Sequence, residues 1–386
     1  MPKDGRGAAP PVAIYHVVSR VVDRQFVFGP DEKEHLRLLL RMYERFSGCR
    51  ILSYCLMSNH IHVLLEVPPG CEKGESLHLT DEELIWRLGG LYSRNHTRLV
   101  EREIRDARGL MEGKTPDGEM APETEVARRK AMLEDGAERL REIHARYSYR
   151  MHSLSEFLKG ILQRFTCWFN REKGRRGTLW ESRFRSVIVQ DGLAARTMAA
   201  YIDLNPVRAG IVEDPADYRW SSYGEAVGGG RGASKAQQGL VRSLYAFGEK
   251  EATSRAWSQG GIGKEYRRIL MAEGVEQFEE DVQGRRGVRG QRVVTRRGMN
   301  KEKAGKELER LREASAKDLK VSKVIRCRVR YFTDGAVIGS KSFVDEVFAR
   351  ARDRFGSKRK DGARRPRGAL GELKGDLWSL RDLKVP

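Results

Sequence analysis

The spacing of apolar residues in the N-terminal part of the chain predicts three strands and one helix. Residues 12–22, VAIYHVVSRVV, are typical of a strand, and the runs RILSYCLM and IHVLLEV are typical of two more, separated by the turn-prone pair Ser58-Asn59. Between them, apolar residues recur at every third or fourth position from Asp31 to Phe46. The order strand, helix, strand, strand predicts an α+β fold, in which an antiparallel β-sheet with a central hairpin is sandwiched by helices.

The amino-acid composition changes in the middle of the chain, and a pattern of apolar residues typical of a protein core resumes after it. Residues 71–150 are dense in Arg and Glu and contain a capping box that begins at Thr80, which predicts a helical charged insertion. A second capping box, at Ser153, begins a helix with a continuous apolar stripe. A strand is predicted at 184–190, followed by a helix that ends at Pro206.

Composition indicates the domain boundaries. The first predicted domain spans residues 12–226 and contains the insertion. The Gly-rich stretch GGGRGASKAQQG lies in a predicted linker at 227–240. The rest divides into three predicted segments: a helical segment at 241–282, a Gly/Arg-rich basic tract at 283–301, and a small helical C-terminal module with a basic tail at 302–386.

The charge balance favours a nucleic-acid partner. The formal net charge is +19, from 73 Lys and Arg against 54 Asp and Glu, and nucleic acid is the commonest polyanion inside cells. The five cysteines form no C-x-x-C pair, which argues against a zinc knuckle or a disulfide framework. The sequence has neither the layout of a signal peptide nor a long apolar segment, so we expect a cytoplasmic protein without a membrane partner.

Two histidines, His60 and His62, lie one residue apart at the start of the third predicted strand. Side chains at positions i and i+2 of a strand point to the same side, so we expect the two rings to lie close together. Such a pair either hydrogen-bonds within the core, as ordinary histidines do, or binds a divalent metal ion. Imidazole and oxygen ligands without thiolates suit Mn²⁺ or Mg²⁺. The spacing by itself leaves both interpretations open.

Four sequence blocks resemble a known family of transposases. They are YHVVSR at 15–20, YCLMSNHIHVLLEVP at 54–68, FNREKGRRGTLWESRFRSVIV at 169–189 and YIDLNPVRAGIVEDPADYRWSSY at 201–223. In this order they resemble the HUH transposases of single-tyrosine insertion sequences, and most of all the REP-associated tyrosine transposases. The resemblance spans roughly residues 12–226, and it implies a ferredoxin-like HUH fold with the H-x-H strand in the sheet.

The resemblance also implies a mechanism and a partner. His60 and His62 hold a divalent metal ion, Mg²⁺ or Mn²⁺, that polarises the scissile phosphate of single-stranded DNA. A tyrosine on a neighbouring helix attacks phosphorus and forms a 5′-phosphotyrosine link, with a free 3′-hydroxyl kept for rejoining. The implied partner is single-stranded or hairpin DNA. Related enzymes form dimers, so the resemblance leaves open whether this protein forms a homodimer.

The helix that should carry the nucleophile departs from the family pattern. The position aligned with the family's tyrosine, in QRFTCWFNREKG, is Phe165, and phenylalanine has no hydroxyl. Tyr147 and Tyr149 just upstream of this helix, and Tyr201 on the next one, are the alternative nucleophiles. Either one of them serves, or the protein binds its DNA without cutting it.

Four further residues are candidates for the metal site. Relatives take a third ligand from the tyrosine-bearing helix, which here indicates Asn170 or Gln163, while Asn170 also suits a helix end. His16 on the first strand either faces the same site or is structural. Glu66 lies on the face of His62 by parity, or is only a solvated strand end.

Basic residues interleaved with an aromatic follow the first strand and the predicted catalytic helix. This mixture binds phosphates and stacks on unpaired bases. The residues for which we predict DNA contacts are Arg20, Arg24, Arg171, Lys173, Arg175, Arg176, Trp180, Arg183 and Arg185.

Three functions follow from these patterns. The first is a metal-dependent endonuclease and strand transferase that acts on hairpin-forming repeats of single-stranded DNA. The second is a DNA-hairpin-binding protein derived from such an enzyme and catalytically impaired at Phe165. The third is a basic RNA-binding or structural protein in which the histidines are core residues.

Overall fold

The structure is a computed structural model that describes most of the chain. The described residues are 12–70, 77–114, 126–249, 256–257, 261–280, 292–312, 321–322, 325, 330–333, 335–355, 357, 359–365, 367–368, 371–372 and 376–380. Much of the predicted Gly/Arg-rich tract, at 283–291, and parts of the predicted insertion and basic tail lie outside them.

The strands are, in chain order, β1 Ala13–Arg20, β2 Arg50–Leu56, β3 His60–Val67, β4 Arg185–Val189, β5 Gln277–Glu280, β6 Arg292–Arg296, β7 Val337–Gly339, β8 Arg367–Gly368, β9 Gly371–Glu372 and β10 Trp378–Leu380. The α-helices are α1 Pro30–Ser47, α2 Asp81–Leu88, α3 Arg94–Met111, α4 Val126–Ser148, α5 Leu154–Glu172, α6 Leu193–Asp203, α7 Asn205–Arg208, α8 Ser222–Val227, α9 Ala233–Leu244, α10 Ile262–Glu273, α11 Lys301–Arg312, α12 Arg330–Thr333 and α13 Lys341–Arg350. Short 3₁₀ turns occur at Val22–Arg24, Pro215–Asp217 and Arg352–Arg354.

The chain folds into two compact units. The first contains residues 38–49 and 67–172, and the second contains 13–37, 50–66 and 173–386. Helices α2 to α5 therefore belong to the first unit, whereas the strands β1 to β4 and everything after α5 belong to the second.

The second unit is built on a six-stranded sheet with the order β10-β7-β4-β1-β3-β2. Strand β1 pairs antiparallel with β4, and β2 pairs antiparallel with β3 in the hairpin that the sequence predicts. The predicted α+β class is confirmed. The sheet is not wholly antiparallel as predicted, because β7 joins β4 in parallel. Residues from far beyond the N-terminal blocks thus complete the same sheet.

One face of this sheet carries the main core of the second unit. Alternating residues of the strands, among them Ile14, Leu52 and Leu64, contribute apolar side chains to it because side chains two apart share a face. Helix α6 brings mostly small residues to the same cluster, from Ala194 to Ala200. Small side chains let a helix backbone lie close to a sheet, so α6 is held tightly over the strands.

Helix α9 occupies much of the region that the sequence predicts as a linker, 227–240. Leu240 and Leu244 are buried, so this stretch is part of the core and not a flexible connection over residues 233–240. Glycines such as Gly239 make this stretch resemble a flexible linker in the sequence. In the structure Gly239 serves packing, because a Cβ there would collide with the carbonyl oxygen of Ile51 in β2. Glycine at this position allows close packing of the helix on the strand.

The first unit contains the charged helices of the predicted insertion and helix α5. Helices α2, α3 and α4 lie within residues 71–150, and α3 packs along α4. The Ncap hydrogen bond of each predicted capping box is present, since the Thr80 and Ser153 hydroxyls accept hydrogen bonds from the backbone amides of Glu83 and Glu156. The buried stripe of α5 consists of Phe157, Leu158, Ile161, Phe165 and Phe169.

In the described part of the chain, we find no helix with the length and apolar character required to cross a membrane.

A buried carboxyl group, Asp203 at the end of α6, makes the stability of the second unit dependent on pH. It accepts hydrogen bonds from the Tyr266 hydroxyl at 2.7 Å and the Tyr223 amide at 3.0 Å. Burial nevertheless raises its pKa to about 7, since the charged form is desolvated. Between pH of about 4 and 7, the folded state therefore keeps a proton that the unfolded state releases, and this proton favours folding at the acid end of that window.

We expect Asp203→Asn to remove this contribution. The free energy of unfolding of the wild type should fall relative to that of the variant as pH rises from about 4 to 7, by at most about 1.4 kcal/mol per pH unit. Urea titrations of both proteins at several pH values measure the difference, in which all other titrating groups cancel. A difference that is constant across this window would show that Asp203 is already ionised at low pH.

Candidate metal centre

Strand β3 places His60 and His62 on one side of the sheet. Their ring centroids lie 4.9 Å apart with the rings nearly perpendicular, at 76°. His62 is buried, with 2% of its surface exposed, whereas His60 at the start of the strand is partly exposed. The pair therefore has one member within the core and one at its edge.

His16 from the neighbouring strand β1 joins the pair. Its ring plane is nearly parallel to that of His62, at 5°, with the centroids 5.2 Å apart, and its Nε2 lies 3.0 Å from Nδ1 of His62. The Nδ1 of His16 lies 2.6 Å from the carbonyl oxygen of Phe332 in α12. His16, which the sequence leaves between a site residue and a structural one, is thus in direct contact with the H-x-H motif.

Asn59 orients the ring of His60 from the preceding turn. The Asn59 amide nitrogen donates to the carbonyl oxygen of Arg24 at 2.8 Å, which fixes the orientation of the side-chain amide. Its Oδ1 then lies 2.6 Å from Nδ1 of His60. Because an amide oxygen only accepts, the His60 proton resides on Nδ1, and Nε2 keeps its lone pair.

All three imidazoles are uncharged near neutral pH. Burial lowers the pKa of His16 to about 4, and burial together with the positive charge of Arg20 lowers that of His60 to about 4. The pKa of His62 lies well below its ordinary value because of burial and the neighbouring His60, His16 and Arg20. Neutral rings are the form that binds metal ions, and the positive charge of Arg20 disfavours protonation of both members of the pair.

The donor set fits a divalent cation in part. Within the described ranges, no cluster of three or more His, Cys, Asp or Glu side chains has a geometry that would hold a metal ion. Glu66 does not add a ligand, since it forms ion pairs with Arg242 at 2.9 Å and Arg50 at 3.7 Å. Two neutral imidazoles would supply two nitrogen ligands, and oxygen atoms from other groups would complete the set.

Tyr201 is the one alternative nucleophile that lies beside the histidines in the second unit. Its ring meets those of His16 and His62 edge to face, at centroid distances of 6.2 and 6.1 Å. It also stacks on Phe332 at 4.3 Å and is 1% exposed. A phosphate could reach this hydroxyl only if the surrounding side chains moved.

The other candidates for nucleophile and third ligand lie in the first unit. Phe165 is fully buried and contacts the rings of Trp168 and Phe169 in its own helix. Tyr147 is nearly buried, with its hydroxyl 3.0 Å from Nε2 of His96, while Tyr149 is 67% exposed. Asn170 is half-buried near the end of α5, and Gln163 is exposed.

Several of the predicted DNA-binding residues come together at the C-terminal end of β1. The Arg20 carbonyl accepts a hydrogen bond from the backbone amide of Glu181, and the backbone of Trp180 forms an isolated antiparallel β-bridge with that of Val21. The Val21 amide donates in turn to the Asn59 carbonyl, directly before His60. This end of β1 thus joins the segment with Trp180 to the start of the H-x-H strand. The side chains of Arg24, Arg183 and Arg185 in these segments are exposed.

Other predicted DNA-binding residues are placed differently. Lys173 forms an ion pair with Glu32 at 2.8 Å, so its charge is partly compensated. Arg175 donates to the Thr178 carbonyl within its own loop, and Arg176 is exposed. Arg171 belongs to the first unit, where it lies 3.5 Å from Glu172.

Sequence reasoning misses two contributors to the site. The sequence predicts Asn59 only as part of a turn, although its place before His60 is a signal for a side-chain contact. Phe332 acts through its backbone carbonyl and lies 316 residues from His16 in the chain. No sequence pattern marks a carbonyl group, so this contact could be found only in the structure.

A family model described as "Transposase IS200 like" matches residues 11–78. That segment contains β1, α1 and the complete H-x-H strand, and the match confirms the resemblance to single-tyrosine transposases there. Among solved structures, the chain is similar to one titled "Structure of the REP associates tyrosine transposase bound to a REP hairpin". The identity is 12%, with 60% of this chain and 88% of the other covered, and the TM-score is 0.29, too low to support an argument. No curated protein matches the chain.

We expect the double substitution of His60 and His62 by alanine to abolish Mn²⁺ binding, because it removes both nitrogen ligands. Isothermal titration calorimetry on the full-length protein measures the binding, and circular dichroism checks that the fold is retained. His78→Ala, at an exposed histidine of the first unit, is the matched control and should bind as the wild type does. Equal binding by the double variant and the control would place the cation elsewhere.

Proposed function

We propose that this protein is a metal-dependent endonuclease and strand transferase that acts on hairpin-forming repeats of single-stranded DNA. One observation carries the proposal. Two uncharged imidazoles share a side of β3, next to the charge of Arg20, within the segment that matches the transposase family. The hairpin as substrate follows from the resemblance of the sequence blocks. The cytoplasmic location and the homodimer stay predictions from the sequence.

Different residues of the chain have different proposed roles at the scissile phosphate. His60 and His62 would hold a divalent cation, Mn²⁺ or Mg²⁺, and Asn170 is the proposed source of a third ligand. Such a cation, when bound, supplies Lewis-acid polarisation of the phosphate. The positive charge of Arg20 opposes protonation of the imidazoles and would attract a phosphate group bound beside them.

The covalent step requires a tyrosine. Its oxygen forms a bond to phosphorus as the bond from phosphorus to the 3′-oxygen breaks, and the leaving oxygen takes up a proton as a 3′-hydroxyl. The phosphate exchanges its ester bond to the 3′-oxygen for one to the tyrosine oxygen, so no nucleoside triphosphate is consumed. Tyr147, Tyr149 and Tyr201 are the proposed alternatives, and the exposure of Tyr149 favours it on access alone.

A second function is favoured by Phe165. If no tyrosine replaces the family's nucleophile, the same site would bind a DNA hairpin without cutting it. The side chain at this position is fully buried among aromatic rings, which suits a purely structural role.

The DNA interface that we propose runs from the end of β1 across the segment at 180–185. Arg20, Arg24, Arg183 and Arg185 provide positive charge there, and Trp180 provides an aromatic ring on which a base could stack. Phe26, in the loop after β1, is 82% exposed and adds a second aromatic surface.

We expect the wild-type protein with Mn²⁺ to form a covalent adduct with a hairpin strand labelled at its 3′ end, because the 5′-phosphotyrosine link retains the 3′ fragment. Denaturing gels detect the adduct, and peptide mass spectrometry assigns it to one tyrosine. A parallel strand labelled at its 5′ end should yield only a shortened fragment. The alanine double variant of His60 and His62 is the negative control.

The variant Phe165→Tyr separates the two functions. Tight hairpin binding without an adduct by the wild type, together with an adduct formed by this variant, would reject the nuclease and support the impaired hairpin binder. Equal affinity for the same hairpin made of RNA would reject both in favour of the RNA-binding alternative, because the 2′-hydroxyl changes helix shape and contacts.

We expect Arg183→Ala combined with Arg185→Ala to weaken hairpin binding and to lower its salt dependence. Each lost phosphate contact should reduce the slope of log affinity against log salt by roughly 0.7 for a single strand. Fluorescence anisotropy at several salt concentrations measures this slope. Arg139→Ala, at an exposed arginine of α4 that pairs with Asp135, is the control. An unchanged slope in the double variant would place the DNA on another surface.

A further inference from the structure

We propose that the carbonyl group of Phe332 sets the proton position on His62 through His16 and thereby presents Nε2 of His62 to the divalent cation. This inference rests on the proposed function, because it assigns positioning residues to the same metal site. It adds a role for α12, a segment far outside residues 11–78 that match the family.

The first step of the argument concerns His16. Its Nδ1 lies 2.6 Å from the Phe332 carbonyl oxygen, and a carbonyl has no proton to give. The proton in this contact must therefore belong to Nδ1 of His16. A neutral imidazole carries only one N–H, so Nε2 of His16 is an acceptor.

The second step transfers this constraint to His62. Nε2 of His16 lies 3.0 Å from Nδ1 of His62, and both rings are buried. An acceptor on His16 requires a donor on His62, because two lone pairs facing each other in a dry interior would leave both nitrogens unsatisfied. His62 therefore carries its proton on Nδ1, and its Nε2 is free of a proton. In water a neutral histidine ordinarily prefers the opposite tautomer, with the proton on Nε2.

The third step concerns what holds the Phe332 carbonyl in place. The Phe332 ring is fully buried and stacks on Tyr201 at 4.3 Å. Strand β7, which follows α12, is paired in parallel with β4, and β4 is paired with β1, the strand of His16. The carbonyl is therefore anchored both by its own side chain and by the sheet to which His16 belongs.

The hydrogen bonds from Phe332 through His16 to His62 have the same effect as the local hydrogen bond at His60. There the Asn59 amide, oriented by the Arg24 carbonyl, places the proton on Nδ1. Two separate hydrogen-bonding devices thus leave Nε2 unprotonated on both members of the pair. Partners of this kind commonly change metal affinity by 10- to 100-fold when they are removed.

Imidazole ¹⁵N chemical shifts in the full-length, metal-free protein at pH 7.5 test the tautomer directly. We expect His62 to show a protonated Nδ1 and an unprotonated Nε2, with the signals assigned by comparison with variants at His16, His60 and His62. A wild-type His62 that carries its proton on Nε2 would overturn the inference, whatever the activity of the protein.

Substitutions at His16 test the link to the metal. His16→Phe keeps a ring of similar size but removes both hydrogen bonds, so we expect mixed tautomers at His62 and Mn²⁺ binding weakened by roughly 10- to 100-fold. His16→Gln can donate its amide N–H to the Phe332 carbonyl while its amide oxygen accepts from Nδ1 of His62, so we expect the wild-type tautomer and Mn²⁺ binding weakened by less than about 10-fold.

Two outcomes separate this inference from the proposed function. Full Mn²⁺ affinity in a folded His16→Phe protein with mixed tautomers would overturn the inference and leave the metal site intact. The expected tautomer in a wild-type protein that binds no Mn²⁺ would overturn both. His78→Phe is the control for the loss of one histidine, and circular dichroism with thermal melts confirms that each variant is folded.

Discussion

The hydrogen bond between His16 and His62 is the interaction on which the candidate site depends. It joins neighbouring strands in a region that excludes water, so neither ring becomes charged near neutral pH. With charge excluded, each ring has one donor and one acceptor, and the Phe332 carbonyl admits a single arrangement of the protons. The position of that carbonyl depends in turn on the pairing of β7 with β4. Sheet register is therefore coupled to the proton positions in the candidate site.

Much of the N-terminal fold could be predicted because its signals are local. The strands β1 to β3 and helix α1 follow from the alternation and helical spacing of apolar residues, which are decided within a few turns of chain. The parallel pairing of β7 with β4 depends on residues about 150 positions apart, and a three-residue strand has no periodicity to detect. Helix α9 could not be predicted from the sequence for another reason. Its glycine serves close packing, but in sequence it resembles the glycine of a flexible linker.

The candidate site divides in the same way. Strand parity alone predicts that His60 and His62 share a side, and the four blocks indicate what such a pair does in relatives. The role of His16 is undecidable from sequence, since a single histidine on a strand has the same signature whether it faces a core or a site. Phe332 contributes a main-chain atom, which every residue type possesses. A prediction from sequence thus identifies the side chains that act at a site more readily than the groups that orient them.

The burial of Tyr201 bears on which part of the proposed chemistry this chain could perform. This ring lies against His16 and His62, stacks on Phe332 and has the Arg208 guanidinium 4.9 Å from its centroid. To attack a phosphate it would have to leave that stack, and the loss of packing beside His16 would admit water to the imidazoles. A tyrosine that helps to keep these imidazoles dry is thus poorly suited to serve as the proposed nucleophile. The physical demands of holding a cation and of supplying a mobile hydroxyl therefore favour different residues, so metal binding could persist in a chain whose nucleophile had been lost.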